Sequence, residues 1–100
     1  MAFGIVHKFP GGTREQYETG IKRNHPDDGS LPEGQLHHFA GPTDDGGWII
    51  CATWDSRQSW ERFREDTVIP SFQELGDEGL PGEFQETTYE IVNELHARVA

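Results

Sequence analysis

The sequence predicts an α+β domain in which a four-stranded antiparallel sheet carries two helices on one face. Three observations lead there. The stretch Trp48 to Trp54 places Trp48, Ile50, Ala52 and Trp54 on one side and Ile49, Cys51 and Thr53 on the other. With both sides largely apolar, it should be a strand inside a sheet that is covered on both faces. Two amphipathic stretches, one after Thr13 and one after Asp55, have helical rather than strand spacing. Periods of two and of 3.6 then alternate in the order strand, helix, strand, strand, helix, strand. Right-handed crossovers fold that order into one sheet with both helices on the same side.

Phe3 to Phe9 is the first strand, with Phe3, Ile5, His7 and Phe9 on one face and Gly4, Val6 and Lys8 on the other. Pro10-Gly11-Gly12 ends it. Thr13-Arg14-Glu15-Gln16 has the spacing of a capping box, and the helix behind it shows a stripe of Tyr17, Gly20, Ile21 and Asn24. Gly20 lowers helix propensity by about 1 kcal/mol relative to Ala. It therefore either permits close helix–sheet approach or leaves room for something else. His25 to Gly34, with two prolines and two glycines, is a loop. Gln35 to Ala40 is a short strand, in which strict alternation puts Leu36 and Ala40 with His38, and Gln35 and Phe39 with His37. Gly41 to Gly47 makes the hairpin into the central strand. The second helix starts at Asp55 or Ser56 and turns Trp60, Phe63, Thr67 and Val68 inward, while Glu61, Arg62, Arg64, Glu65 and Asp66 face water. Pro70 should end or kink it, with Ser71 to Leu75 as a further turn. After a loop from Gly76 to Gly82, the last strand runs from Phe84 to Leu95, with Tyr89, Ile91 and Leu95 on one face and Glu86, Glu90 and Glu94 on the other. It is longer than one small sheet requires. The result is the ferredoxin-like βαββαβ sandwich, one domain over residues 1–100.

Composition bounds the function. The chain has 100 residues and a formal net charge of −10, which argues against nucleic acid and anionic membrane surfaces as partners. Nine acidic residues and no Lys or Arg lie between Glu65 and Ala97, a solvated acidic face. No run is long and apolar enough for a membrane span, and the first residues lack signal-peptide features, so the expected compartment is the cytoplasm. The single cysteine, Cys51, lies mid-strand and is expected to be a buried, slowly reacting thiol. A core this modest and a central strand apolar on both sides together point to a homodimer joined through the sheet faces.

The hairpin into Gly47-Trp48-Ile49-Ile50-Cys51-Ala52-Thr53-Trp54-Asp55, the following Ser59-Trp60-Glu61-Arg62-Phe63 and the element order resemble the dimeric α/β-barrel superfamily. The likeness is in particular to small proteins related to antibiotic-biosynthesis monooxygenases, and it spans nearly the whole chain. It implies that two sheets pack face to face in a dimer and that each subunit holds a pocket between sheet and helices. It also implies an activity drawn from cofactor-independent oxygenases, polyketide cyclases, isomerases, haem-handling enzymes or stress-responsive proteins.

Five histidines are the conspicuous chemical resource. His7 is either a neutral core histidine or a base at the floor of a pocket. His38 is slightly favoured over His37 to face the helices. His25, at the end of the first helix, is explained by the helix dipole, yet it also begins the long loop. His7, His38 and His25 are the candidate catalytic residues. Tyr17, Asn24, Trp54, Trp60 and Phe63 are the candidate substrate contacts, with Asn24 a polar amide on an otherwise inward stripe. The histidines lack His-x-His or His-x-x-x-His spacing, and one cysteine cannot make a thiolate cluster, so no metal is expected. No other cofactor is expected either, although a haem would find axial ligands in His7, His25 or His38. The leading expectation is a small homodimeric enzyme acting on an apolar aromatic or polyketide-like molecule. The rival is a non-catalytic ligand-binding or stress-responsive dimer, and cavity volume separates the two: an enzyme of this kind needs roughly 300 Å³ or more.

Overall fold

Alternating apolar residues become a stable strand only when neighbours take their backbone groups, and every neighbour here is antiparallel. The computed structural model describes residues 1–26 and 28–97. Strands β1 (Phe3–Phe9), β2 (Gln35–Pro42), β3 (Trp48–Trp54) and β4 (Gln85–Glu90) form one sheet in the order β2-β3-β1-β4. The two most apolar strands hold its centre. β1 pairs with β3 so that Phe3 meets Trp54, Ile5 meets Ala52, His7 meets Ile50 and Phe9 meets Trp48. Side chains directly opposite share a face, and this face is the one the helices cover. The ferredoxin-like α+β fold expected from the element order is the fold observed.

Helix α1 (Arg14–Asn24) starts as its capping box dictates. Thr13 Oγ1 accepts the Gln16 N–H at 3.1 Å and Gln16 Oε1 accepts the Thr13 N–H at 3.0 Å. Helix α2 (Arg57–Phe63) is capped by Ser56, whose hydroxyl accepts the Ser59 N–H at 3.2 Å. The helical chain does not end at Pro70. A π-helical segment, Arg64–Val68, carries it into α3 (Ile69–Leu75), with Pro70 in the first turn of α3. The wider turn hydrogen-bonds the Ile69 N–H back to Arg64 O. Pro70 follows that turn directly and supplies no backbone donor of its own, yet the helix continues past it to Leu75.

Three further expectations change. β2 extends to Pro42, which an edge strand tolerates because its missing donor faces no neighbour. A bulge between Gln35 and His37 breaks the alternation, so Gln35 joins His38 on the helix face and is buried while Leu36 is exposed. β4 ends at Glu90 rather than Leu95. Past it the Ile91 N–H bonds back to Ala2 O, and Val92 and Leu95 are exposed.

The described residues of one chain cover the sheet on the helix side only. The far face presents Val6, Ile49 and Cys51 half-buried, with Phe39 68% and Tyr89 46% exposed. Cys51 is thus not buried as expected. The Tyr89 ring lies across Gly4 on this face, where a Cβ would stand 2.3 Å from Cζ.

The core on the helix side divides in two. Phe3, Ile5, Ala52, Trp54 and Trp60 form one cluster, with Phe63 and Val68 against it. Phe9, Trp48 and Leu80 form the other, flanked by Tyr17, Ile50, Phe72 and Phe84. The His7–Ile50 pair lies between them in the register. No helix among the described residues is long and apolar enough to cross a membrane.

Candidate functional site

A cavity lies between the sheet and the helices where the two clusters leave a gap. Ile5, His7, Phe9, Ile50 and Ala52 line it from the sheet, and Trp60, Phe63, Val68, Ser71 and Phe72 from the helical segments α2 to α3. The α1 stripe closes it with Tyr17, Gly20, Ile21 and Asn24, followed by His25. Gly20 leaves room: apart from its chain neighbours and the backbone of its own helix, a Cβ built there would meet no atom within 4 Å among the described residues. The enclosed space is about 80 Å³, well below the roughly 300 Å³ of a typical small-molecule pocket. An open groove of about 560 Å³ adjoins it and shares Tyr17, Ile21, His25 and His38.

His7 is buried on β1, ringed by Phe9, Trp60 and Phe84 at centroid distances of 6.2, 5.4 and 5.0 Å. Its Nε2 lies 2.7 Å from Glu86 Oε2 on the neighbouring β4, directly across in the register. Burial pulls the His7 pKa below its ordinary value. The Glu86 carboxylate pulls the other way and Arg64 adds to the lowering, so the ring is neutral near pH 7.

A second polar group sits where α1 ends against β2. Tyr17 Oη and His38 Nε2 are 2.7 Å apart, and His25 Nε2 lies 3.2 Å from Gln35 Oε1. The His25 and His38 rings meet edge to face at 4.8 Å. Burial lowers the His38 pKa to about 4, with the nearby His25 adding to the effect. Burial raises that of Tyr17, which keeps its proton. His25 does cap α1, its N–H bonding to Ile21 O at 3.0 Å. Its pKa is nonetheless lowered by burial, which the hydrogen bond with Gln35 only partly opposes, so the ring is not held as a cation. Three buried atoms of this group, Asn24 Oδ1, His25 Nδ1 and His38 Nδ1, have no hydrogen-bond partner among the described residues.

Seven of the eight candidate residues therefore border one cavity: His7, His25, His38, Tyr17, Asn24, Trp60 and Phe63. Trp54 does not. It is 0% exposed, packed against Trp60 and Phe63 at 5.7 and 5.1 Å, and serves the core. His37 turns to the far face and bonds Thr53 Oγ1 at 2.8 Å. Sequence reasoning missed Glu86, because the β1–β4 register that sets it opposite His7 has no local signal, and Gln35, because it did not foresee the bulge. Among the described residues, no group of three or more His, Cys, Asp or Glu side chains is placed to hold a metal ion.

No protein-family model matches the chain. No curated protein matches it either. Solved structures do. Rv0793 from Mycobacterium tuberculosis superposes with a TM-score of 0.69 at 12% identity, over 96% of this chain and 100% of that one. A variant of SnoaB, a cofactor-independent oxygenase from Streptomyces nogalater, gives 0.67 at 16% identity, over 94% and 96%. A protein provisionally named an antibiotic biosynthesis monooxygenase, from Deinococcus radiodurans, gives 0.65 at 12% identity, over 99% and 100%. The chain has the fold of the antibiotic-biosynthesis-monooxygenase-like proteins, as the sequence resemblance implied.

Proposed function

We propose that this protein is a small cytoplasmic homodimeric enzyme that removes a proton from an apolar aromatic or polyketide-like molecule held between its sheet and its helices. The observation that carries this reading is the His7–Glu86 pair in an aromatic setting at the cavity wall. A carboxylate only accepts, so the shared proton sits on His7 Nε2 and the Nδ1 lone pair is the basic site. Burial keeps the ring neutral, as a base must be, and Glu86 stabilises the imidazolium formed on proton transfer. The anion left on a phenolic or enolisable substrate, shielded from water by Phe9, Trp60 and Phe84, then reacts with dioxygen or closes a ring. The cofactor-independent oxygenase among the structural neighbours supports the first outcome. With a pKa of about 4, His38 is too weak a base for this task, and it belongs with His25, Tyr17, Asn24, Trp60 and Phe63 to substrate binding. The uncovered far face of the sheet supports the dimer.

One observation favours the rival reading, a non-catalytic small-ligand-binding or stress-responsive dimer: the cavity of about 80 Å³ takes only part of a polycyclic substrate unless the groove beside it is used. Oxygen uptake and product mass, measured with a panel of hydroxylated aromatic and polyketide-like compounds, decide between them. The enzymatic reading expects turnover that His7→Phe abolishes in a folded protein. Turnover that survives His7→Phe rules out the assigned base. The absence of turnover across the panel, together with saturable binding, establishes the rival.

A further inference from the structure

The unpartnered polar atoms at the α1–β2 end of the cavity have a definite donor and acceptor character. Gln35 Oε1 only accepts, so His25 carries its proton on Nε2 and its Nδ1 is a bare lone pair. Tyr17 Oη keeps its proton and has His38 Nε2 as its partner, so the hydroxyl donates and the proton of His38 is on Nδ1. The reverse arrangement would leave the phenol proton without an acceptor. Asn24 Oδ1 is an acceptor. Among the described residues, each of the three is buried without a partner, an arrangement that folded proteins rarely leave uncompensated. They are held by the end of one helix and by one strand, so their positions are set by the fold and not by a loop.

We propose that this end of the cavity is a recognition site for a neutral head group with one acceptor and two donor hydrogens, and that the group is a primary carboxamide. Its carbonyl oxygen takes the His38 Nδ1–H, and its two N–H hydrogens go to His25 Nδ1 and Asn24 Oδ1. A carboxylate would set its oxygens against two lone-pair acceptors and is rejected, since no Lys or Arg is among the described residues that line the cavity and Lys22 borders only the groove beside it. A ketone meets only His38. The body of the ligand is apolar and extends along the adjoining groove, which Tyr17, Ile21, His25 and His38 also border. This inference rests on the reading of the cavity as the ligand site, but it requires no reaction there.

The test is a titration of the full chain with benzamide, N,N-dimethylbenzamide, benzoate and toluene, followed at the imidazole nitrogens by NMR. Benzamide should bind at least about tenfold more tightly than the other three, the gain expected of two or three added hydrogen bonds, and should shift the His25 and His38 ring nitrogens. Asn24→Leu and His38→Phe should each remove most of that preference and leave toluene binding in place. If His38→Phe fails to fold, Asn24→Leu with His25→Phe makes the same measurement. Toluene bound as tightly as benzamide, or a preference unchanged in Asn24→Leu, overturns the recognition site while retaining an apolar cavity. Ring nitrogens that hold a bound water and ignore benzamide overturn it as well. No response to any of the four compounds overturns the site and the ligand cavity together. Benzamide preference in a protein without turnover upholds the site and removes only the enzymatic reading.

Discussion

Mild acid should destabilise this protein through histidines that are buried in their neutral form. His38 is held at a pKa of about 4 in the folded chain, against about 6.5 when unfolded. Between those values the unfolded chain binds more protons, so stability is complete above about pH 6.5 and falls as the pH drops toward 4. At about 1.36 kcal/mol per pH unit the whole interval amounts to at most about 3.4 kcal/mol, of which about 2 kcal/mol is lost by pH 5. His38 is partly accessible, and solvent screening reduces that to about 1 kcal/mol. His7 and His25, also lowered by burial, add in the same direction. For a domain of this size, about 1 kcal/mol moves Tm by about 4–8 °C. Thermal melts at about pH 7.5 and about pH 5 measure it, above the range where most carboxylates titrate. His38→Gln, which still accepts from Tyr17 and cannot titrate, should show a shallower loss. A wild-type Tm that is flat over this range, or a His38→Gln slope equal to that of wild type, refutes the reasoning.

Gly20→Ala should raise stability by up to about 1 kcal/mol through helix propensity while weakening ligand binding, since its methyl projects into open space at the cavity; calorimetry with ligand titration checks both, and unimpaired binding removes the cavity as the ligand site. Glu86→Gln should cut turnover by about tenfold or more. It should also move the acid limb of the kcat/KM profile to lower pH, because the carboxylate is what raises the His7 pKa against burial; an unmoved limb assigns that limb to another group. Gly4→Ala should cost about 1–3 kcal/mol, read by urea denaturation, because its Cβ collides with the Tyr89 ring. Light scattering should return twice the 11.3 kDa chain mass, with Cys51 labelling slowly in that dimer; a monomer at micromolar concentration counts against the proposed sheet-face contact.

Local patterns decided much of this fold. Thr13 and Gln16 lie three residues apart, and the capping box follows from that spacing. The alternation in Phe3–Phe9 and Trp48–Trp54 assigned both strands, and the order of elements assigned the topology. The α1 stripe of Tyr17, Gly20, Ile21 and Asn24 was readable as an inward face because helical periodicity is a property of neighbours in sequence. What only tertiary structure decided depends on residues far apart. The β1–β4 register sets Glu86 opposite His7, 79 residues away, and turned an expected surface carboxylate into the partner of a buried histidine. A bulge in β2 moved Gln35 to the helix face, because one extra residue reverses every later side chain. The chain passes Pro70 as a helix by way of the π-helical turn just before it, a local adjustment that no spacing in the sequence announces. Trp54 lies in the core and not at the cavity, because Trp60 and Phe63 pack against it and themselves line the cavity. The donor and acceptor pattern of Asn24, His25 and His38 likewise exists only once Tyr17 and Gln35 have taken the other nitrogen of each ring.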